Sequence, residues 1–401
     1  MQQTIQLDLH QNVQFIYELV LARMELAAMG ADFAVEDGLR RFHATGDYDR
    51  THLLRRSAYF RSLTDPFGHS EFTDYHVIQQ YNRTHSINQY LTHWFYPYKG
   101  KFHPQMIRAL LGIIGLRPGH VVLDPFIGSG TTAVEAQLLG IDCIGVDVSP
   151  LCCLISRVKT QSWAHLREIE DAADYVAPCT DNAHQQRLFR SVHERELPEG
   201  PVKDFFDLTE MIARSDNSRR RRDGVEAFVH NRDRMLASVH DHVEVKRRLG
   251  LEFGSVDIRE GDARALELPD ESVDGIVTSP PYSLALDYVK NDEHALQAMG
   301  YDLEQISEGF IGVRGSGKRR FELYDEDMHV AAREMARVLR PGAMAAVVIG
   351  NMTYNGEEID TTAMFTRACE DAGLVLERCV DKIIFGLYNV MQKEYILLFR
   401  K

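Results

Sequence analysis

The period of the apolar positions changes along the chain. Over Phe15–Leu26 they recur at helical spacing, which predicts a packing helix, and residues 1–93 read as a helical N-terminal region. From about residue 94 the pattern becomes short apolar runs separated by helix-forming stretches. Val121-Val122-Leu123, Cys143-Ile144-Gly145-Val146, Val256–Arg259, Val273–Val277 and Ala343–Ile349 read as strands. A helix over Ala332–Arg340 is stopped by Pro341-Gly342, and Lys382–Phe385 with Tyr395–Phe399 reads as a closing pair. Strands alternating with helices predict an α/β fold around a mostly parallel sheet. Residues 94–154 and 251–401 form this core, and residues 155–250 form a long helical insertion. No internal repeat is present.

Two loops of this core carry candidate chemistry. The strand at Val121 runs into Asp124-Pro125-Phe126-Ile127-Gly128-Ser129-Gly130-Thr131-Thr132. Gly128 and Gly130 let backbone approach a ligand closely, and Thr131 and Thr132 can cap the following helix. The next strand ends in Asp147, about twenty residues on, a spacing at which an acidic residue can take both hydroxyls of a ribose. The strand Val273–Val277 ends in Thr278-Ser279-Pro280-Pro281-Tyr282. Two prolines in a row make a stiff extended loop, placed where an open α/β sheet binds its ligand. The loop offers a hydroxyl, a free carbonyl and an aromatic face, which suit a flat base with polar edges. Taken alone, Pro-Pro-Tyr also fits an ordinary turn or a polyproline-type ligand.

Together, the two loops resemble those of the S-adenosylmethionine-dependent amino-methyltransferases, and among them the DNA N4-cytosine group of the N4/N6 class. The resemblance extends to Lys99-Gly100-Lys101-Phe102-His103-Pro104, which is similar to the start of the family's cofactor-side helix. It also includes Glu260-Gly261-Asp262-Ala263, which is similar to the turn that reads the cofactor adenine, and it covers roughly residues 94–150 and 252–401. It implies a Rossmann-like class I methyltransferase fold with a mostly parallel seven-stranded sheet, and S-adenosyl-L-methionine as cofactor. Phe102, Asp124, Phe126, Gly128, Ser129, Gly130, Thr131, Asp147 and Asp262 would hold the cofactor. Ser279, Pro280, Pro281 and Tyr282 would hold a flipped base, with the Ser279 hydroxyl and the Pro280 carbonyl accepting from its amino group. In the class, serine at this place commonly goes with cytosine N4, and aspartate with adenine N6 or with guanine N2 in tRNA. DNA is the implied substrate and a restriction endonuclease the implied partner. The same resemblance leaves open a silent, cofactor-binding recognition subunit.

Charge complicates this picture. The chain carries a formal net charge of −14, which argues against a broad, sequence-independent grip on nucleic acid. Residues 211–250 run the other way, with 10 Lys/Arg against 6 Asp/Glu and the run Arg219-Arg220-Arg221-Arg222. This insertion is a candidate for phosphate contacts and target recognition, and it equally fits a solvated helical face. Arg55–Arg61 has the same two readings. The 6 cysteines form no Cys-x-x-Cys pair, so neither a disulfide frame nor a zinc site is expected. No long apolar run is present, and a cytoplasmic protein that uses no metal and meets no membrane is the expectation.

Three further patterns do not change the reading. Gly312–Lys318 has P-loop spacing, but Arg319 stands where magnesium needs Ser or Thr. A flexible basic loop, with Arg314 and Lys318 at substrate phosphates, is expected instead. Pro178-Cys179 is similar to the nucleophile dipeptide of cytosine-C5 methyltransferases, but it is far from the loop after the central strand. The 17 histidines include no His-Glu-x-x-His pair, which leaves a metal hydrolase without support.

Overall fold

The computed structural model describes residues 4–401 except 37, 47, 85, 99, 175, 179–188, 192–196, 221–223, 282–291, 316, 355–356 and 386–390. Its first elements are β1 (Ile5–Leu9), α1 (Ile16–Ala28), β2 (Asp32–Val35), β3 (Arg41–Thr45), α2 (Arg50–Arg56), β4 (Phe60–Thr64), β5 (Ser70–Phe72) and α3 (Asp74–Gln79). The strands pair antiparallel in the order β2-β3-β1-β4-β5. The expectation of a helical region is therefore corrected: α1 lies where the spacing places it, but a five-stranded sheet surrounds it. The missed signal is alternation over short runs. Ile5, Leu7 and Leu9 are buried while Gln6 and Asp8 are only half-buried, the period-two pattern of a one-sided strand. Arg55–Arg61 is no amphipathic helix, since it leaves α2 and enters β4. Buried Arg56 donates to the carbonyls of Leu116 and Leu139, which ties this region to the core.

The main domain continues with α4 (Pro104–Ile113), β6 (Val121–Asp124), α5 (Thr131–Leu138), β7 (Asp142–Asp147) and α6 (Pro150–Gln161). The insertion follows as α7 (Leu166–Ala173), the small pair β8 (Val176–Pro178) and β9 (Phe189–Ser191), and the helices α8 (Pro201–Arg220) and α9 (Gly224–Leu249). The chain re-enters the sheet at β10 (Val256–Glu260) and β11 (Val273–Thr278), then forms α10 (Glu293–Ala298), α11 (Leu303–Gly309) and α12 (Gly317–Val338). It ends with β12 (Leu339–Gly350), the pair β13 (Met352–Tyr354) and β14 (Glu357–Ile359), α13 (Thr361–Asp371), β15 (Val375–Phe385) and β16 (Met391–Arg400).

The seven-stranded sheet has the order β10-β7-β6-β11-β12-β16-β15. The pairs from β10 to β12 are parallel, and β16 runs antiparallel between β12 and β15. This is the order 3-2-1-4-5-7-6 of the class I methyltransferase fold. Both faces are covered, which is why β12 reads as a continuous apolar run. Ala346 and Val348 pack with α1, α4 and the N-terminal sheet, while Ala345, Val347 and Ile349 pack under α12 and α13. The N-terminal region thus shares one core with the main sheet. The expected helix stop at Pro341-Gly342 becomes a register shift inside β12: Leu339 pairs with Val273, and Met344 then pairs with Gly275.

Candidate active site

The strand order reverses between β6 and β11, and the loops at their carboxyl ends face one cavity. The cavity encloses about 830 Å³, its open mouth included. Among the residues that line it are Phe102, Phe126, Gly128, Ser129, Thr131, Asp147, Asp262, Ser279 and Pro281. Nine of the sequence candidates therefore share one space.

The turn after β6 is shaped by glycine. Gly128 and Gly130 have φ of 50° and 78°, left-handed values that side chains seldom adopt. A Cβ on Gly130 would lie 2.7 Å from Ser156 Oγ on α6, so this glycine serves close helix packing and does not line the cavity. Beneath the turn, the buried Lys159 ammonium donates to the Ser129 carbonyl at 2.6 Å. One turn along α5, buried Glu135 accepts from Tyr90 Oη at 2.5 Å and His93 Nε2 at 2.8 Å, with Arg108 Nη1 at 3.4 Å. Burial alone would raise the Glu135 pKa, but His93, Arg108 and Tyr90 together hold it below the usual carboxylate value.

Asp124 is also absent from the cavity lining. Its Oδ1 accepts from the Thr278 hydroxyl at 2.6 Å and from the Phe126 amide at 3.1 Å. Asp124 thus braces the two motif loops against each other. Asp147 does line the cavity. Its oxygens accept from the amides of Gly128 and Ser149, both at 2.9 Å, and its backbone carbonyl accepts from Gly261 at 3.0 Å. Burial pushes both Asp124 and Asp147 up to about 6, and the hydrogen bonds they accept offset it only in part.

Asp262 meets different donors. Its carboxylate pairs with Arg264, whose Nη2 lies 2.6 Å from Oδ2. Arg264 also donates to Asp327 Oδ1 and to the Gly309 carbonyl, both at 3.0 Å, and so fixes the wall of Gly309, Phe310 and Ile311. Arg314 is bound to both oxygens of Asp327 at 2.5 and 2.6 Å, so its guanidinium already has a carboxylate partner. Lys318 lies in the first turn of α12, with its side chain 90% exposed and 3.8 Å from Glu322, so the expected flexible loop is a helix start. Arg219 and Arg220 end α8. Arg221, Arg222, Cys179, Lys99 and Tyr282 lie outside the described residues, and Pro280 does not line the cavity.

Sequence reasoning missed Tyr98, Lys101 as a wall residue, and Gly309–Ile311. The Tyr98 ring lies 3.3 Å from where a Cβ on Gly128 would stand. Lys101 donates to the carbonyls of Asn88 and His93, and burial lowers its pKa to about 7. A stretch with four aromatics before Lys-Gly-Lys, Trp94, Phe95, Tyr96 and Tyr98, was the available signal for Tyr98, whereas nothing local marks Gly309–Ile311. Among the described residues no group of three or more His, Cys, Asp or Glu could hold a metal ion, and no helix is long and apolar enough to cross a membrane.

The fold and this cavity define a class I methyltransferase scaffold. The donor set fits S-adenosyl-L-methionine: carboxylates at two strand ends, a glycine turn, and aromatic walls. The buried Thr131 hydroxyl, on the cavity wall, has no hydrogen-bond partner among the described residues.

Comparison with known proteins finds similarity over part of the chain. The N6/N4 family model described as DNA methylase matches residues 47–157. The type II methyltransferase M.MjaII of Methanocaldococcus jannaschii is 46% identical over 71 residues, 18% of this chain and 13% of that protein. M.BsoBI of Geobacillus stearothermophilus is 30% identical over 135 residues, 33% of this chain and 26% of that protein. A tRNA (guanine(10)-N2)-dimethyltransferase of Methanothermobacter thermautotrophicus is 36% identical over 55 residues, 14% of this chain and 16% of that protein. The chain thus spans about a quarter or less of the length of these relatives. Among solved structures, TrmN from Thermus thermophilus aligns with a TM-score of 0.34 at 16% identity, covering 76% of this chain and 50% of that one. Over residues 47–157 the chain is thus similar to the amino-methyltransferases of the N4/N6 class.

Proposed function

We propose that the protein transfers a methyl group from S-adenosyl-L-methionine to the exocyclic N4 of cytosine in DNA. The observation that carries this reading is the Thr278–Asp124 hydrogen bond, with Ser279 and Pro281 lining the same cavity as Gly128 and Asp147. The bound cofactor supplies an electrophilic methyl group on a sulfonium. An amino nitrogen on a base is a poor nucleophile, because its lone pair is delocalised into the ring. The chain's part is to hold that nitrogen in line and to accept hydrogen bonds that favour its pyramidal form. Ser279 Oγ and the Pro280 carbonyl take that role, and Tyr282 stacks on the base. Unstacking the base costs a few kcal/mol, which these contacts offset. Asp147 takes the ribose, Asp262 the adenine, and the Arg219–Arg222 run touches phosphates. Serine at position 279 supports cytosine N4 over adenine N6, and the relatives named as type II methyltransferases support a restriction endonuclease partner.

The test is nucleoside analysis of DNA from cells that express the protein, with Ser279→Ala as control. N4-methylcytosine with the wild-type chain, and none with Ser279→Ala, is expected. N6-methyladenine in DNA, or methylguanosine in tRNA without N4-methylcytosine, would overturn the cytosine assignment. Cofactor binding without methylation of either nucleic acid would leave the recognition-subunit reading.

A further inference from the structure

Three aromatic residues spaced two apart, the last of them on the cavity wall, fasten the segment 94–98 to three different places. Trp94 Nε1 donates to Ser238 Oγ on α9 at 2.8 Å, and the Arg234 guanidinium lies 4.3 Å from its ring centroid. Tyr98 lies against Gly128 of the cofactor turn. Between them, Tyr96 is 2% exposed and holds a left-handed φ of 61°. A bulky residue keeps that conformation only where its surroundings impose it, and such strain gathers at functional sites.

The Tyr96 hydroxyl donates to Asp292 Oδ1 at 2.9 Å. Asp292 stands at the start of α10, yet its carboxylate makes no capping bond to that helix. Phe95 and Tyr96 share an apolar cluster with Ala295 and Leu296 of α10 and with Phe205 and Phe206 of the insertion. Thr278 is bonded to Asp124, and Asp292 to Tyr96. The chain is therefore held by a buried hydrogen bond before residues 282–291 and by a part-buried one after them.

We propose that Tyr96 is a positioning residue for methyl transfer, acting through Asp292 to fix the chain that carries Ser279 and Pro281 relative to the cofactor turn. The insertion, through Ser238 and Arg234 on Trp94, braces the same segment 94–98. This inference depends on the amino-methyltransferase reading above.

The test compares Tyr96→Phe, Asp292→Asn and Asp292→Ala in the full chain. Tyr96→Phe removes only the hydroxyl, and it should leave the unfolding midpoint and the calorimetric affinity for S-adenosylmethionine unchanged. Its kcat for methylation should fall about tenfold or more. Asp292→Asn keeps an acceptor oxygen and should retain most of the rate. Asp292→Ala should match Tyr96→Phe, with the double variant no slower than either. Wild-type kcat in Tyr96→Phe, a loss matched by weaker cofactor binding or lower stability, or Asp292→Asn as slow as Asp292→Ala would each overturn the proposal. A wild-type chain that methylates no nucleic acid would instead overturn the activity reading. Hydrogen exchange over residues 292–298 then decides the positioning role: faster exchange in Tyr96→Phe supports it, and unchanged exchange overturns it.

Discussion

The two flanks of the cavity are built from charges in different surroundings. Under the glycine turn, the ions Glu135 and Arg108 and the His93 ring are at most 1% exposed, and Lys159, whose pKa burial lowers, donates to a carbonyl. On the opposite flank, Arg264, Asp262, Arg314 and Asp327 form a lattice whose side chains are 9–33% exposed. Buried charges without partners are expensive, so the first flank tolerates little change. Solvent and salt screen the second, which holds its wall with weaker and more replaceable bonds. The glycine turn is therefore the fixed side of the cavity, and the wall of Gly309–Ile311 is the adjustable one.

The contrast can be broken most directly at Glu135. Glu135→Ala leaves Arg108 and His93 buried without their partner, and it should cost about 3–5 kcal/mol in urea denaturation. A loss below about 1 kcal/mol would remove the distinction between the flanks. A smaller but still large effect is expected at Asp147. Asp147→Ala removes the acceptor of the Gly128 amide and should weaken S-adenosylmethionine binding about 30-fold or more in calorimetry. The same carboxyl gives a pH signature. Its pKa is raised to about 6, so it is ionised and able to accept above that pH and protonated below. Affinity should be level above about pH 7 and fall as the pH drops through 6, and Asp147→Asn should flatten that profile. The least effect is expected on the exposed flank. Arg314→Ala should cost no more than about 1 kcal/mol, and less at high salt, because its ion pair with Asp327 is partly solvated.

The parallel core was legible because both faces of its strands are buried, so apolar runs, glycine turns and terminal carboxylates stand together in the sequence. Asp147, Gly128 and Ser279 could be placed from this alone. The N-terminal sheet was not legible: its strands are 3 to 5 residues long, too short for their alternation to outweigh the stronger helical pattern of α1. The bond between Asp124 and Thr278 was not legible for another reason. The two lie 154 residues apart, and only the adjacency of β6 and β11 brings them together. Gly309–Ile311 reached the cavity through Arg264, a contact that no local spacing encodes.

The insertion enters the sheet at one crossover, between β7 and β10, which are paired in register from Cys143–Val256 to Asp147–Glu260. Closing a connection costs entropy that grows only with the logarithm of its length, about 0.6 kcal/mol for each doubling. A crossover of this kind can lengthen or shorten by whole helices at small cost in chain entropy while the carboxyl ends of β7 and β10 stay where they are. What the segment does carry is contact: Ser238 on α9 holds Trp94, and Asp204 on α8 holds Arg157 on α6. Exchange of this segment between related chains would therefore be limited by a few side-chain matches along the 94–98 stretch and α6 rather than by the topology of the sheet.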